Sequence, residues 1–319
     1  MKDVALDIKE NILVHFPEPL ERCFMETDDE ILRRVREIRV RGDRPVLAYC
    51  DEEYFLTPRG LKRQTAERPH KISQAEVEEL FLSAVRYSPY AYEDEIKKGF
   101  ITLRGGHRVG LCGTAVIGDD GAIGGLKNIS SLNIRISREI KTAAREVMPY
   151  ITTAGRFHST LLLSPPGCGK TTFLRDIIRR LSDGIDCIAH TVAVADERGE
   201  IAAVYEGQAQ NDVGQRTDVF DASGKAEAIM RLIRAMAPIV VATDEVGTSE
   251  DAAALAAAAN CGVKLLCTAH ADDVSDMLQA RDEIKRKICG LFERIVVLEN
   301  KTRPGEIKAV YDEKYERVK

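Results

Sequence analysis

The sequence predicts an α/β protein with a mostly parallel sheet, preceded by a smaller α+β domain. From Ser159 onward, short apolar runs alternate with helical stretches, a pattern typical of a parallel sheet covered on both faces. A length of 319 residues suggests two domains. We therefore divide the chain into an N-terminal α+β domain over residues 1–140, a linker helix over 141–158 and a second domain over 159–319.

The N-terminal domain mixes strand and helix patterns. Residues 36–50 alternate like a strand, and residues 100–118 read as a hairpin that turns at a glycine pair. Residues 129–137 form a further strand pattern. A helix is expected after the capping residue Ser73, with apolar residues at helical spacing, and a second helix should follow it before residue 100.

Composition and charge narrow the function classes. The chain is 44% hydrophobic and 30% charged, with a net charge of -5, so we expect no nucleic-acid partner. Its eight cysteines form no C-x-x-C pair, which fits a reducing cytoplasm. We see no signal-peptide pattern and no apolar stretch long enough to cross a bilayer.

A phosphate-binding loop is expected after the apolar run STLLLS. The pattern is G-x-x-x-x-G-K-[ST], placed between a strand and a helix. Backbone N–H groups of the loop and the helix N-terminus would hold phosphates. Lys170 would reach the β- and γ-phosphates and Thr171 would ligate Mg²⁺, so ATP and Mg²⁺ are the expected cofactors. The predicted binding residues are Ser164, Pro165, Pro166, Gly167, Cys168, Gly169, Lys170, Thr171 and Thr172.

Ser164 stands where this pattern has its first glycine. Glycine is required only where φ is positive or where a side chain would meet the ligand. Ser164 precedes Pro165, and residues before proline favour extended conformations with negative φ. Gly167 and Gly169, which would border the phosphates, are present, so we expect the loop to tolerate the serine.

Two acids follow the apolar run PIVVAT. We assign Asp244 to the magnesium ion and Glu245 to the attacking water. The alternative is a pair of helix-capping acids after a buried strand.

A second pair of acids ends the run TVAVAD. Asp196 and Glu197 would lie at the carboxyl edge of the sheet, where ligands of open α/β sheets bind. Glu197 or Glu200 would share in positioning metal or water; the alternative is a surface loop salt-bridged to Arg198.

The run VKLLCTAH ends in polar residues that would lie beside this site. Thr268 and His270 are candidates to sense the γ-phosphate, although a lone histidine at a strand end is usually structural. An arginine from a neighbouring subunit could supply transition-state charge. The candidates are Arg135, Arg138 and Arg216; Arg231 and Arg234 are expected on the polar side of a helix.

These motifs, in this order, resemble the secretion-ATPase family of type II and type IV secretion and pilus motors. The matching residues are Arg234, Pro238, Glu245, Glu250, the alanine-rich 252–259, Thr268 and His270, with LNIRIS as the arginine-bearing strand of the N-terminal domain. The resemblance implies a RecA-like P-loop NTPase domain, ATP hydrolysis and a hexameric homo-oligomer. Asp244 departs from the glycine that this family usually has there.

From about Arg36 to Val297, nearly the whole chain is similar to a family of sporulation proteins from endospore-forming bacteria. GGHRVG, NIRISREI, PPGCGKTT, ADERGEI and RTDVFD occur in the family's order. This resemblance implies a cytoplasmic ATPase, associated peripherally with the inner face of the mother-cell membrane. Its partners would be integral-membrane proteins of the same sporulation operon, at the channel between mother cell and forespore.

Three functions remain open from the sequence. The first is an ATPase that powers or assembles a secretion-like channel complex. The second is a nucleotide-gated scaffold with negligible turnover. The third is a RecA-like nucleic-acid motor, which the acidic charge and the lack of tryptophan disfavour because few side chains could stack on bases.

Overall fold

The computed structural model describes residues 3–63, 68–118, 121, 123–221, 224–279, 283–300 and 305–319. They form two compact units. The first comprises Met1–Arg138 and Tyr205–Gln210, and the second Glu139–Val204 and Asn211–Lys319. The sequence division at residue 140 therefore missed one segment, because Tyr205–Gln210 belongs to the first unit.

Within its described residues, the first unit contains a seven-stranded antiparallel sheet in the order β5-β4-β3-β1-β9-β8-β7. β2 and β6 pair separately. The hairpin with its glycine turn is confirmed, and β9 contains most of the strand expected over 129–137. The single strand expected over 36–50 is wrong, because that stretch is divided into β1, β2 and β3. The strands are β1 (Glu37–Arg41), β2 (Arg44–Pro45), β3 (Leu47–Tyr49), β4 (Glu53–Thr57), β5 (Gly60–Lys62), β6 (Lys71–Ile72), β7 (Phe100–Thr102), β8 (Arg108–Ile117) and β9 (Ile123–Arg135).

Helices complete the core of the first unit. The predicted cap at Ser73 is confirmed: its hydroxyl accepts from the Glu76 N–H at 3.3 Å, and the Glu76 carboxylate accepts from the Ser73 N–H at 2.7 Å. The apolar face of α4 is buried in this core. The helices are α1 (Val4–Asn11), α2 (Glu18–Met25), α3 (Asp29–Leu32), α4 (Gln74–Ala84) and α5 (Glu93–Lys97).

The second unit is built on the predicted mostly parallel sheet. In its described part, seven strands run in the order β16-β13-β17-β18-β12-β19-β20, and only β20 is antiparallel. The strands of this unit are β10 (Thr152–Thr153), β11 (Arg156–Phe157), β12 (Thr160–Ser164), β13 (Val192–Asp196), β16 (Thr217–Asp221), β17 (Val240–Thr243), β18 (Lys264–His270), β19 (Arg294–Glu299) and β20 (Glu306–Tyr311). The paired strands β14 (Val204–Tyr205) and β15 (Gln208–Ala209) belong, apart from Val204, to the first unit. The helices are α6 (Met148–Ile151), α7 (Lys170–Asp183), α8 (Lys225–Met236), α9 (Ser249–Asn260), α10 (Val274–Leu278) and α11 (Glu283–Cys289).

Both faces of this sheet are covered, which explains why its strands are continuously apolar. Leu161 and Leu163 pack with α8, α9 and α11, whereas Leu162 packs on the opposite face with α7. Successive side chains of a strand alternate between the two faces. Each fully buried leucine contributes about 1.5–3 kcal/mol relative to an exposed one.

The linker helix predicted over residues 141–158 is wrong. Residues 141–147 form consecutive turns, α6 is one turn long, and β10 and β11 follow it. Pro149 cannot donate a hydrogen bond and would clash with the carbonyl four residues earlier in a continuous helix. The Ala144 N–H instead donates to the buried Asp176 carboxylate at 2.9 Å.

Two strands of the second sheet were not predicted, and both are edge strands. β16 (sequence TDVFD) and β20 (EIKAVY) carry charged residues among their apolar ones, as edge strands commonly do. Across the described residues, none of the helices combines the length and the apolar character that a membrane crossing requires.

Candidate nucleotide site

The loop between β12 and α7 has the backbone that its sequence requires. Ser164 is the last residue of β12, fully buried and outside the left-handed region, as its place before Pro165 predicts. Gly167 and Gly169 have φ of 76° and 79°, values that side chains disfavour. The serine therefore occupies a position where no glycine is needed.

Lys170 begins α7 and points back over this loop. Three acceptors of the loop share the N–H groups of its ammonium: the Ser164 carbonyl at 2.8 Å, the Pro165 carbonyl at 3.2 Å and the Ser164 hydroxyl at 3.2 Å. Burial lowers the pKa of Lys170, while the nearby Glu245 carboxylate acts in the opposite direction. The loop thus places the Lys170 ammonium at the N-terminus of α7. Both the ammonium and the helix N-terminus attract anions such as phosphate.

His270 connects this lysine to an acid. β12 and β18 are parallel neighbours in a register that pairs Ser164 with His270. Because an ammonium only donates, His270 Nδ1 accepts from Lys170 at 2.9 Å and the ring proton lies on Nε2. His270 Nε2 lies 3.4 Å from Glu245 Oε1 and donates to it. The neutral imidazole therefore links the loop lysine to the predicted water-positioning carboxylate.

Glu245 lies just beyond the end of β17. Its N–H donates to the Thr268 hydroxyl at 2.8 Å, and its second carboxylate oxygen pairs with Arg198. Thr268 is buried behind Glu245, so any response of Thr268 to a phosphate would pass through that residue. Arg198, for which the sequence left a salt bridge within its own surface loop as the alternative, pairs with Glu245.

Asp244 is the most unusual acid of the second unit. It is 1% exposed, and neither carboxylate oxygen has a hydrogen-bond partner among the residues that the structure describes. Burial, reinforced by the nearby Asp196 carboxylate, raises the pKa of Asp244 to about 6. Two buried oxygen ligands without partners fit a magnesium ion, which binds through few carboxylates and keeps its other positions for water and phosphate.

Within the described residues, no group of three or more His, Cys, Asp or Glu side chains is arranged to hold a metal ion. A dedicated protein cage is thus absent from this part of the chain. Thr171, in the first turn of α7, and Asp244 are the residues that would hold Mg²⁺ beside a phosphate.

Asp196 is the last residue of β13, which lies next to β17 in the sheet, and Glu197 follows it, but their side chains have different partners. Asp196 is fully buried and accepts from the N–H groups of the three consecutive residues 200–202, at 3.0, 3.2 and 2.8 Å. Glu197 is partly exposed and lies 3.6 Å from the ammonium of Lys225. Asp196 therefore shapes the loop, and Glu197 faces the site.

A cavity of about 470 Å³ adjoins the other side of the phosphate loop. It opens beside Gly169, Thr172 and the aromatic ring of Phe173. Its volume and mixed apolar and polar lining suit a small organic ligand. The remaining lining residues are Ile140, Thr142, Ala143, Arg145, Glu146 and Gly305.

The three candidate arginines have different surroundings. Arg135, at the end of β9 in the first unit, has a 61% exposed side chain with Glu37 at 4.0 Å. Arg138 donates to two backbone carbonyls of the first unit. Arg216, in the second unit, donates to the Ser182 carbonyl at 2.9 Å. Arg138 and Arg216 are thus engaged within their own units, and Arg231 and Arg234 are exposed on α8 as predicted.

Sequence reasoning missed Lys225. It is the first residue of α8 and is 7% exposed, and its ammonium donates to the Glu245 carbonyl at 3.0 Å. A signal was present, because a lysine in the first turn of a helix opposes the helix dipole.

Comparison with known proteins identifies the family. A family model described as "Sporulation stage III, protein AA" matches residues 7–318. The chain belongs to this family. Stage III sporulation protein AA of Bacillus subtilis (strain 168) is 38% identical over 300 residues, covering 93% of this chain and 92% of that protein. The protein ycf45 of Cyanidium caldarium is 28% identical over 53% of this chain and 49% of its own length.

Solved structures confirm the fold expected from the secretion-ATPase resemblance. The ATPase DotB of Legionella pneumophila has a TM-score of 0.54 at 17% identity, covering 88% of this chain and 77% of that one. The pilus retraction motor PilT, solved with bound ADP, has a TM-score of 0.55 at 15% identity, covering 82% and 74%. The second unit is therefore a RecA-like domain, preceded by an antiparallel N-terminal unit.

Proposed function

We propose that this protein is a magnesium-dependent ATPase that hydrolyses ATP to ADP and phosphate. The observation that carries the proposal is the chain of contacts from Lys170 through His270 to Glu245. These three residues come from different elements and meet at the carboxyl edge of the parallel sheet, where ligands of such sheets bind.

Each group has a role in this reaction. The loop amides and Lys170 would hold the β- and γ-phosphates, and the cavity beside Phe173 would take the base and ribose. Magnesium, when held by Thr171 and Asp244, supplies charge neutralisation on the phosphates. Glu245 Oε1 would orient the attacking water and take up its proton, and the Nε2–H of His270 would fix that carboxylate.

The proposal extends to the setting in which the ATPase works. Membership of the sporulation family and the fold of secretion ATPases support an energy-supplying role in a secretion-like channel complex between mother cell and forespore. We propose a hexameric homo-oligomer that works at the inner face of the mother-cell membrane. Its partners would be integral-membrane proteins encoded with it, and Arg135 would act across the subunit interface.

Steady-state phosphate release tests the reaction. Purified protein with Mg-ATP should turn over, and Glu245→Gln should lower kcat at least about 100-fold while ATP still binds. Lys170→Ala should lose ATP binding, and Asp244→Ala should lose the response to magnesium. Lys287→Ala and Glu283→Gln, from the exposed ion pair of α11, are matched controls that should retain wild-type rates.

Other outcomes would redirect the proposal. Binding that depends on Lys170 without turnover in any condition would contradict hydrolysis and favour the nucleotide-gated scaffold. Stimulation of the rate by DNA or RNA would favour a nucleic-acid motor. Sedimentation velocity of the Glu245→Gln protein with Mg-ATP checks the oligomer.

A further inference from the structure

Few lysine and arginine side chains of the described residues are buried. Because burying a charge costs free energy, each of them is expected to have a specific role. In the described part of the chain, three basic side chains are buried: Lys170, Arg180 and Lys225. Lys170 belongs to the phosphate loop. Arg180 pairs with Asp176 of its own helix at 3.0 Å and with Asp186 at 2.5 Å. Lys225 is the one without a role in the site described so far.

Lys225 stands where helix formation alone would disfavour it. It is the first residue of α8, at the positive end of the helix dipole, and a buried ammonium also loses its hydration. Two contacts offset these costs. The ammonium donates to the backbone carbonyl of Glu245 at 3.0 Å and lies 3.6 Å from Glu197 Oε2. The lysine thus joins three chain segments at the carboxyl edge of the sheet.

The backbone of Glu245 needs such support. Its φ is 44°, in the left-handed region that a residue with a side chain seldom adopts. On one side, the Glu245 N–H donates to the Thr268 hydroxyl and the Val246 N–H to the Thr268 carbonyl, both at 2.8 Å. On the other side, the Glu245 carbonyl accepts from Lys225. The 244–245 peptide group is therefore fixed from β18, and the 245–246 peptide group is fixed from both sides, by β18 through the Val246 N–H and by α8 through the Glu245 carbonyl.

We infer that Lys225 is a positioning residue that holds Glu245 in its left-handed conformation and ties it to the loop of Glu197. The orientation of the Glu245 carboxylate toward His270 then depends on an ammonium that donates to the backbone of Glu245. The kinetic consequence rests on the proposed ATPase function. Lys225 should be needed for the step that Glu245 performs and should not be needed for nucleotide binding.

The first test separates kcat from KM. Lys225→Met keeps the length of the side chain and removes its charge; it should lower kcat about 10- to 100-fold, the usual cost of losing a supporting partner, with KM changed less than about twofold. Lys225→Arg should recover part of the rate. Lys264→Met is the matched control, because Lys264 pairs with Glu293 at the other end of β18, about 20 Å from His270.

A double-mutant cycle distinguishes positioning from general destabilisation. In the Glu245→Gln background, radiolabelled phosphate release should fall less than about twofold further when Lys225→Met is added, since the two changes affect one unit. Equal losses in both backgrounds, or a wild-type kcat for Lys225→Met in an active enzyme, would overturn the inference and leave the ATPase proposal intact.

Hydrogen–deuterium exchange provides a readout that needs no turnover. Peptides covering residues 243–249 should exchange faster in Lys225→Met than in wild type or Lys264→Met, because the fixed peptide groups of Glu245 are released. Unchanged exchange there would overturn the inference even if the protein hydrolyses ATP. Faster exchange in a protein without ATPase activity would support the positioning role while removing the proposed function.

Discussion

Two aspartates end neighbouring strands of the same sheet, and their surroundings differ completely. Asp196, the last residue of β13, accepts from three backbone N–H groups, whereas Asp244, just after β17, has no hydrogen-bond partner among the described residues for either carboxylate oxygen. Both are at most 1% exposed, and burial raises the pKa of both. The two carboxylates are therefore equally buried, but only that of Asp196 is hydrogen-bonded.

The difference shows how structural and functional acids are told apart. A buried carboxylate with satisfied oxygens fixes backbone, as Asp196 does for the loop over residues 200–202. A buried carboxylate with unsatisfied oxygens costs free energy in the protein alone, and that cost is recovered only if a cation binds. Asp244 is of this second kind, which is why we assign the metal to it and not to Asp196.

Asp196→Ala should have the largest effect on stability. It orphans three backbone donors, two of them on fully buried residues, and relief of the buried charge offsets only part of that loss. We expect about 2–4 kcal/mol less unfolding free energy at pH 7.5. Urea denaturation without nucleotide or magnesium measures it. Wild-type stability would mean that these amides find other acceptors.

The same substitution at Asp244 should act in the opposite direction. The pKa of Asp244 is about 6 in the fold against 3.8 ordinarily, so the folded state binds the proton more tightly and stability falls as pH rises through this window. Asp244→Ala removes that penalty and should stabilise the protein by about 1–2 kcal/mol above pH 7, after the cost of a small cavity.

The pH dependence is the check on this second prediction. The advantage of Asp244→Ala should shrink as pH falls from 7 toward 5, because the carboxyl is increasingly protonated in the folded wild type. Thermal unfolding across that range, without magnesium, measures it. A variant less stable than wild type at pH 8 would show that the carboxylate has partners after all.

Ser164→Gly should have the smallest effect. Glycine at the end of β12 costs about 0.5–1 kcal/mol in backbone entropy, and Lys170 keeps its bond to the carbonyl of residue 164. We expect ATP affinity to change less than about fivefold, since only the two hydrogen bonds of the serine hydroxyl, to Lys170 and to the Pro165 carbonyl, are lost. Equilibrium binding and thermal unfolding measure the two effects. A large gain in affinity would mean that the loop prefers glycine at its first position.

The sequence was most informative where local chemistry determines the structure. The phosphate loop follows from spacing, glycines and flanking elements, and the buried strands follow from continuous apolar runs. The linker failed as a helix because Ala144 bonds to a buried aspartate 32 residues away. Such a tertiary contact leaves no periodic pattern in the sequence.

Parts of the site also depend on contacts that no motif records. The unfavourable place of Lys225 in the first turn of α8 is visible in the sequence, but its partner, the Glu245 carbonyl 20 residues further along the chain, is not. Thr268 looks like a ligand-facing hydroxyl in the strand pattern, but the register of β17 and β18 turns it toward the Glu245 backbone. In both cases the sequence does not tell which polar group of a neighbouring element contacts the side chain.

Tyr205–Gln210 has a consequence for biosynthesis. Within the first unit, Arg86 pairs with Glu206, and the Gly105 N–H donates to Gln210 at 2.8 Å. A ribosome that has just released residue 138 has therefore not yet delivered all the residues of this unit. Its last contacts form only after about 70 further residues emerge, so the N-terminal unit is completed late although it is translated first.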